Sequence, residues 1–112
     1  GFALPEGLDK PVMIGEFHFG ALDRGMFHPG LVKTANQEER AQCYAEYVES
    51  ALRHPNIIGT HWHQFADQAT TGRFDGENFQ VGFVDVCDNP YPETIAKIRE
   101  VGYLMYEVRN EK

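Results

Sequence analysis

The sequence predicts an α/β fold in which strand, helix, strand and helix alternate and the two strands run parallel. Three observations predict it. Two short apolar runs, Pro11-Val12-Met13-Ile14-Gly15-Glu16-Phe17 and Ile57-Ile58-Gly59-Thr60-His61-Trp62, each end in side chains capable of chemistry. Each run is followed, after a loop, by a stretch whose apolar residues recur at helical spacing. Alternation of this kind marks βα units with right-handed crossovers, and it sets both loops at the same edge of one parallel sheet.

The chain enters through residues 1–11, rich in Gly, Pro and Leu and without periodicity. The first strand is expected over about 12–17. A continuous apolar run beside Pro and Gly predicts burial on both faces. Period two puts Val12, Ile14 and Glu16 on one face and Met13, Gly15 and Phe17 on the other. His18 to Ala35 then forms a Gly- and aromatic-bearing loop of a length associated with function. Thr34 stands three residues before Gln37 and Asn36 three before Glu39, two capping boxes able to open a helix. Ala41, Tyr44, Tyr47, Val48, Ala51 and Leu52 form its apolar stripe, and Glu38-Glu39-Arg40 reads as its solvated face. Pro55 ends it near His54. After the second strand, at about 57–62, comes a loop over about 63–91. Within it Phe74-Asp75-Gly76-Glu77-Asn78-Phe79 reads as a small hairpin turn, with Gln80 to Val86 as its return strand. Pro92 and Glu93 open the last helix, whose stripe is Ile95, Ile98, Val101, Leu104, Met105 and Val108.

At 112 residues, 42% hydrophobic and 24% charged, the chain has the length and balance of one modest globular unit spanning 1–112. No apolar run approaches the roughly 20 residues of a membrane span. A formal net charge of -7 argues against nucleic acid and against an anionic membrane surface, both of which call for clustered Lys and Arg. Cys43 and Cys87 have no CxxC spacing and are expected as small buried hydrophobes. Two parallel strands do not make a sheet, and a (β/α)8 barrel needs eight such units. Unpaired parallel edges invite association. The chain therefore reads as the C-terminal part of a larger barrel, or else as one of several copies that pair their strands; the first reading is favoured.

Glu16 stands where parallel α/β folds place their chemistry, at the carboxyl end of a strand; the plain alternative is a strand meeting water. Glu16-x-His18 and His61-x-His63 are spaced to put two ligands on one strand face. A metal-dependent hydrolase holding zinc on Glu16, His18, His61 and His63 is thus the main rival mechanism. Parity counts against it: if Thr60 and Trp62 face inward with Glu16, His61 points to the helix layer. The favoured reading has no metal, with His18 and His61 or His63 orienting Glu16, contacting substrate or bonding backbone. Asp23-Arg24 is a local ion pair or a substrate-positioning device. Gln64, Asp67, Gln68, Arg73 and Asn78 make a loop rich in donors and acceptors that suits a polyhydroxylated ligand.

Three stretches carry a family resemblance. Gly15-Glu16-Phe17-His18-Phe19-Gly20-Ala21-Leu22-Asp23-Arg24-Gly25-Met26-Phe27-His28 resembles the seventh-strand region of agarases in glycoside hydrolase family 50. Gly59-Thr60-His61-Trp62-His63-Gln64-Phe65 and Asp67 through Asn78 resemble their eighth-strand region. Gly82-Phe83-Val84-Asp85 followed by Pro90-Tyr91-Pro92-Glu93 is similar to the segment leading into their last helix. The resemblance implies the last two units, strands 7 and 8, of a TIM (β/α)8 barrel with a small hairpin after the second strand. It implies a retaining hydrolase of β-1,4 links in agarose or a related galactan, with Glu16 as nucleophile. The acid/base would sit on strand four, outside this chain, so the isolated chain is expected to be inactive. Trp62 is implied as the floor under the reacting sugar, its indole N–H free to donate. No cofactor is implied, the partners are a carbohydrate and the N-terminal barrel part, and the family suggests a secreted or periplasmic setting. A non-catalytic sugar-binding or self-associating fragment is the remaining alternative.

Overall fold

The computed structural model describes residues 1–111. The elements are β1 (Val12–Phe17), α1 (Gln37–Arg53), β2 (Ile57–Trp62) and α2 (Pro92–Arg109). The strands pair parallel, as expected, and α1 packs against both β2 and α2.

Helix α1 begins where its capping residues dictate. The Asn36 side chain accepts from the Glu39 amide at 2.8 Å, and the Glu39 carboxylate reaches back to the Ala35 N–H. Asp23 Oδ2 takes a further first-turn amide, that of Gln37, at 3.1 Å. Thr34 is not a cap: its hydroxyl donates to the Gly20 carbonyl at 3.0 Å and fastens the first loop. The helix stops at Arg53, with His54 extended before Pro55. Helix α2 starts with Pro92 at its first position, where the missing N–H costs nothing.

The strands differ from expectation in two ways. They are not buried on both faces: Met13 is 56% and Ile58 60% exposed, and among the described residues the sheet consists of β1 and β2 alone. Their register also slips. Ile14 is opposite Thr60, but Phe17 is opposite Trp62, so β1 carries one extra residue between these pairs, at Gly15-Glu16. A bulge of this kind re-aims the side chains that follow it. Phe17 and Trp62 consequently share a side, their rings edge-to-face at 5.2 Å, and Phe17 stacks on Tyr47 of α1 at 4.3 Å. Both aromatic residues are turned to the helix layer.

The expected hairpin is a turn without strands. Arg73 N–H donates to Glu77 O at 2.9 Å and Gly76 N–H to Arg73 O at 2.8 Å, but Gln80–Val86 forms no return strand. The amides of Val81 and Gly82 go instead to Asp67 Oδ1, at 3.0 and 2.7 Å, and Gln80 N–H goes to His28 O at 2.7 Å. A buried carboxylate has taken the donors that a ladder would have used. The cysteines are also more open than expected, Cys87 being exposed and Cys43 half-buried.

Arg40 overturns the solvated-face reading outright. It is 0% exposed. Its Nε donates to Phe19 O at 2.7 Å, Nη2 to Gly82 O at 2.6 Å and Nη1 to Gln37 Oε1 at 3.2 Å. The guanidinium lies between the rings of Trp62 and Tyr91, 5.2 and 5.4 Å from their centroids. Burial lowers its pKa to about 10, with Asp67 the largest opposing influence, so at pH 7 the charge persists. Around it Gln37, Gln80 and Thr94, all fully buried, bond to one another. Arg40→Met keeps much of the volume and strands two buried carbonyls. It is expected to lower unfolding free energy by roughly 2–5 kcal/mol, read by denaturant titration, with exposed Glu38→Gln as the neutral control. A loss within about 0.5 kcal/mol, the surface-substitution range, would contradict this role.

Candidate active site

The bulge at Gly15-Glu16 decides what meets at the carboxyl ends of the strands. Past the bulge side chains alternate again, so His18 points opposite to Phe17 and Phe19, whose rings meet at 6.3 Å. The pairing continues one residue past the strands, with His63 N–H donating to Phe17 O at 2.9 Å. This brings the His18 and His63 rings to 5.9 Å between centroids. The exposed Glu16 carboxylate is in the electrostatic reach of both His18 and Arg73. The structure brings His18 and His63 together at the strand ends, and the turn after β2 reaches the same side through Phe79, which like His18 lies against Gly30.

His18 is buried, and burial is the main cause that lowers its pKa, followed by the charge of His63; Glu16 opposes both. Its Nε2 accepts from Leu31 N–H at 3.0 Å, which leaves the ring proton on Nδ1. The close approach is made possible by Gly30, at φ 78°, where a Cβ would stand 2.5 Å from His18 Nε2. At neutral pH His18 is a neutral ring, pinned at one nitrogen and able to donate from the other.

Other expected site residues have structural duties. Trp62 donates its indole N–H to Gln64 O at 3.0 Å and Val81 O at 2.8 Å, and its ring stacks on Phe83 at 4.9 Å. The free donor expected of a sugar floor is not there. Asp67 is buried; besides the Val81 and Gly82 amides, it accepts from Gln80 Nε2 at 2.9 Å and from the Tyr91 hydroxyl. That contact and burial together push the Tyr91 phenol well above its ordinary value. Gln68, also buried, accepts from Phe79 N–H at 2.9 Å and donates to Glu77 at 3.0 Å. Gln64 donates to Ala66 O at 3.0 Å. Asp23 serves α1 and sits only 3.7 Å from Arg24, whose closer partner is Glu93. His61 is exposed and bonds Ile14 O at 3.1 Å.

His61 has one ring nitrogen bonded to Ile14 O and His18 one bonded to Leu31 N–H. Among the described residues no three His, Cys, Asp or Glu side chains are grouped to hold a metal ion. Arg73 is held by Asp75 through two 2.7 Å bonds and by Glu77 at 2.8 Å, and this contact holds the Asp75 carboxyl down to about 2. Asp75 is therefore ionised and cannot deliver a proton. Arg40 and Tyr91, absent from the expected list, are the residues that fasten the loops bearing the site.

Comparison with known proteins identifies the lineage. No family model matches the chain. Beta-agarase B of Vibrio sp. (strain JT0107) is 45% identical over 106 residues, which cover 94% of this chain and 11% of that protein. Beta-agarase A of the same strain is 48% identical over 102 residues, 90% of this chain and 10% of its own length. Among solved structures, PfGH50B superposes with a TM-score of 0.89 at 49% identity, covering 92% of this chain and 15% of that one. An exo-beta-agarase superposes with a TM-score of 0.89 at 47% identity, covering 92% and 14%. The chain is thus homologous to a segment of glycoside hydrolases. More particularly, its homologues are the β-agarases A and B, and its structural neighbours are family 50 agarases. It spans about a tenth of the length of the curated relatives it matches.

The depressed His18 pKa has a consequence for stability. Between pH 6.5 and the lower folded value, the unfolded chain binds a proton that the folded chain refuses. The contribution is therefore present above about pH 6.5 and lost as pH falls. Thermal midpoints measured from pH 7.5 to 5 should drop in the wild type and drop less in His18→Gln; parallel curves would contradict the assignment.

Proposed function

We propose that this chain supplies the last two βα units of a (β/α)8 barrel in a retaining glycoside hydrolase acting on a galactan such as agarose, with Glu16 as nucleophile. The single observation that carries the reading is an exposed carboxylate at the carboxyl end of a parallel strand, two residues before a buried, neutral histidine. The relatives' names supply the substrate class. The exposed outer face of the sheet supports the barrel: an apolar groove of about 610 Å³ runs between α1, β2 and α2, lined by Val48, Ile58, Val101 and Met105 among others. Further strands and helices of a barrel would fill it.

In this reading the Glu16 carboxylate attacks the anomeric carbon, and the new C–O bond forms as the glycosidic bond breaks. A carboxylic acid about 5–5.5 Å away protonates the departing oxygen. That acid comes from another strand of the barrel, since Asp75 is held ionised by Arg73 and Glu77 is bonded to Arg73 and Gln68. Water, activated by the same group, then cleaves the glycosyl ester with net retention. His18 and His63 stand at the same strand ends, and their free ring nitrogens are available to sugar hydroxyls.

In the complete barrel, Glu16→Ala should reduce hydrolysis of agarose by at least roughly a thousandfold. Added azide should restore turnover of an activated β-galactoside and yield the inverted glycosyl azide, read by proton NMR. Wild-type-like hydrolysis in Glu16→Ala would overturn the assignment.

A further inference from the structure

Phe74 is 98% exposed, yet the turn that bears it is among the most tightly bonded parts of the surface. Beneath it, Arg73 grips both oxygens of Asp75 at 2.7 Å and Glu77 Oε2 at 2.8 Å. The Glu77 amide donates to Asp75 Oδ1 at 3.2 Å. Glu77 is tied in turn to the buried Gln68 side chain at 3.0 Å, and the neighbouring Asn78 side chain donates to Thr70 O at 3.3 Å. Two backbone bonds close the turn, and Gly76 at φ 90° supplies the left-handed residue it needs. The Arg73 guanidinium lies 5.7 Å from the Phe74 centroid.

A lone exposed phenylalanine is ordinary on a protein surface. A phenylalanine raised on a turn whose charged groups are all engaged in fixing the turn is a different case. The backbone beneath it is fixed, so a ligand that packs on the ring has only that one side chain to order. The apolar C–H face of a pyranose matches an aromatic face of this size, while its rim hydroxyls suit the surrounding carboxylates and guanidinium. The chain's negative charge and absence of a basic cluster disfavour a nucleobase as the stacked group. A Cβ on Gly30 would meet His18 Nε2 at 2.5 Å and Phe79 Cδ2 at 3.4 Å, and Gln68 ties Phe79 to Glu77, so the turn stands on the His18 side of the strand ends and not on a remote face.

We propose that Phe74 is a stacking platform for a pyranose unit of the polysaccharide that lies beyond the residue attacked by Glu16. The proposal rests on the glycosidase reading above and assigns it a further subsite. The platform acts on binding of long substrates and leaves the chemical step alone.

The test uses the complete barrel protein, as wild type, Phe74→Ala and Phe74→Trp. Each is assayed on a long agaro-oligosaccharide and on a chromogenic β-galactoside too short to reach the turn. Phe74→Ala should raise KM for the long substrate roughly 2- to 10-fold with kcat nearly unchanged, and leave both constants for the short substrate unaltered. Phe74→Trp should restore the long-substrate KM. An unchanged long-substrate KM in Phe74→Ala, or an equal rise on both substrates, overturns the platform while leaving Glu16 untouched. A wild type inert on every galactan overturns the glycosidase reading and the platform with it. Because the side chain is nearly all in solvent, thermal midpoints of the three proteins should agree, and a clear loss in Phe74→Ala would mean a structural role instead.

Discussion

One buried guanidinium holds the loops of this molecule together. Arg40 rises from the first turns of α1 and donates to Phe19 O, in the loop after β1, and to Gly82 O, in the loop after β2. Both loops leave the carboxyl ends of the strands, and Arg40 adds to the direct bonds between them, Gln80 N–H to His28 O at 2.7 Å and Ala21 N–H to Gln80 Oε1 at 3.0 Å. The charge is tolerated because it is surrounded: two carbonyls and a glutamine accept its protons, two aromatic faces flank it and Asp67 is near. The remaining buried polar groups follow from this one. Gln37 serves Arg40 and accepts from Thr94, Gln80 joins Gln37 to Asp67, and Asp67 receives Tyr91 at the entrance to α2. A connected set of this kind admits few alternative arrangements.

The second constraint is the extra residue at Gly15-Glu16. It separates two environments that a regular pair of strands would have mixed. On one side Phe17, Phe19, Tyr44, Tyr47, Trp62 and Phe83 pack ring against ring into the helix layer. On the other side stand His18 and His63, just past the exposed Glu16. The aromatic side is a half-buried stack of rings with Phe17 at its core, while the other side keeps a carboxylate in water and a buried histidine neutral. A nucleophile needs such a division: a fixed base to hold it and an open approach for the reacting carbon.

Much of the plan is readable in the chain because its signals are local. Both strands, the Asn36–Glu39 cap, the stop before Pro55 and Pro92 at the head of α2 each depend on neighbours a few residues away, and each falls where the sequence predicts. What escapes is long-range. Arg40 looks like a solvated residue in Glu38-Glu39-Arg40, since its acceptors lie 21 and 42 residues distant along the chain. Asp67 and Gln68 look like ligand groups, and their partners near residues 77–82 and 91 are equally hidden. Trp62 is misassigned by a single residue of register: parity puts it with Glu16 until the bulge moves it to the side of Phe17. The same bulge makes His63, and not His61, the companion of His18. The turn at 74–77 is visible as Asp-Gly, but its missing strands reflect the capture of the following amides by Asp67.

The central claim is that Glu16 forms a bond to a sugar carbon, and covalent capture tests it most directly. A 2-deoxy-2-fluoro-β-galactosyl donor with a dinitrophenolate leaving group needs no acid assistance to depart, and its fluorine slows release of the ester. Digestion and mass spectrometry of the treated complete protein should place one fluorogalactosyl group on the peptide containing Glu16. A label on Glu77 or on any other carboxylate, or no stoichiometric label while the donor is being turned over, would contradict the account.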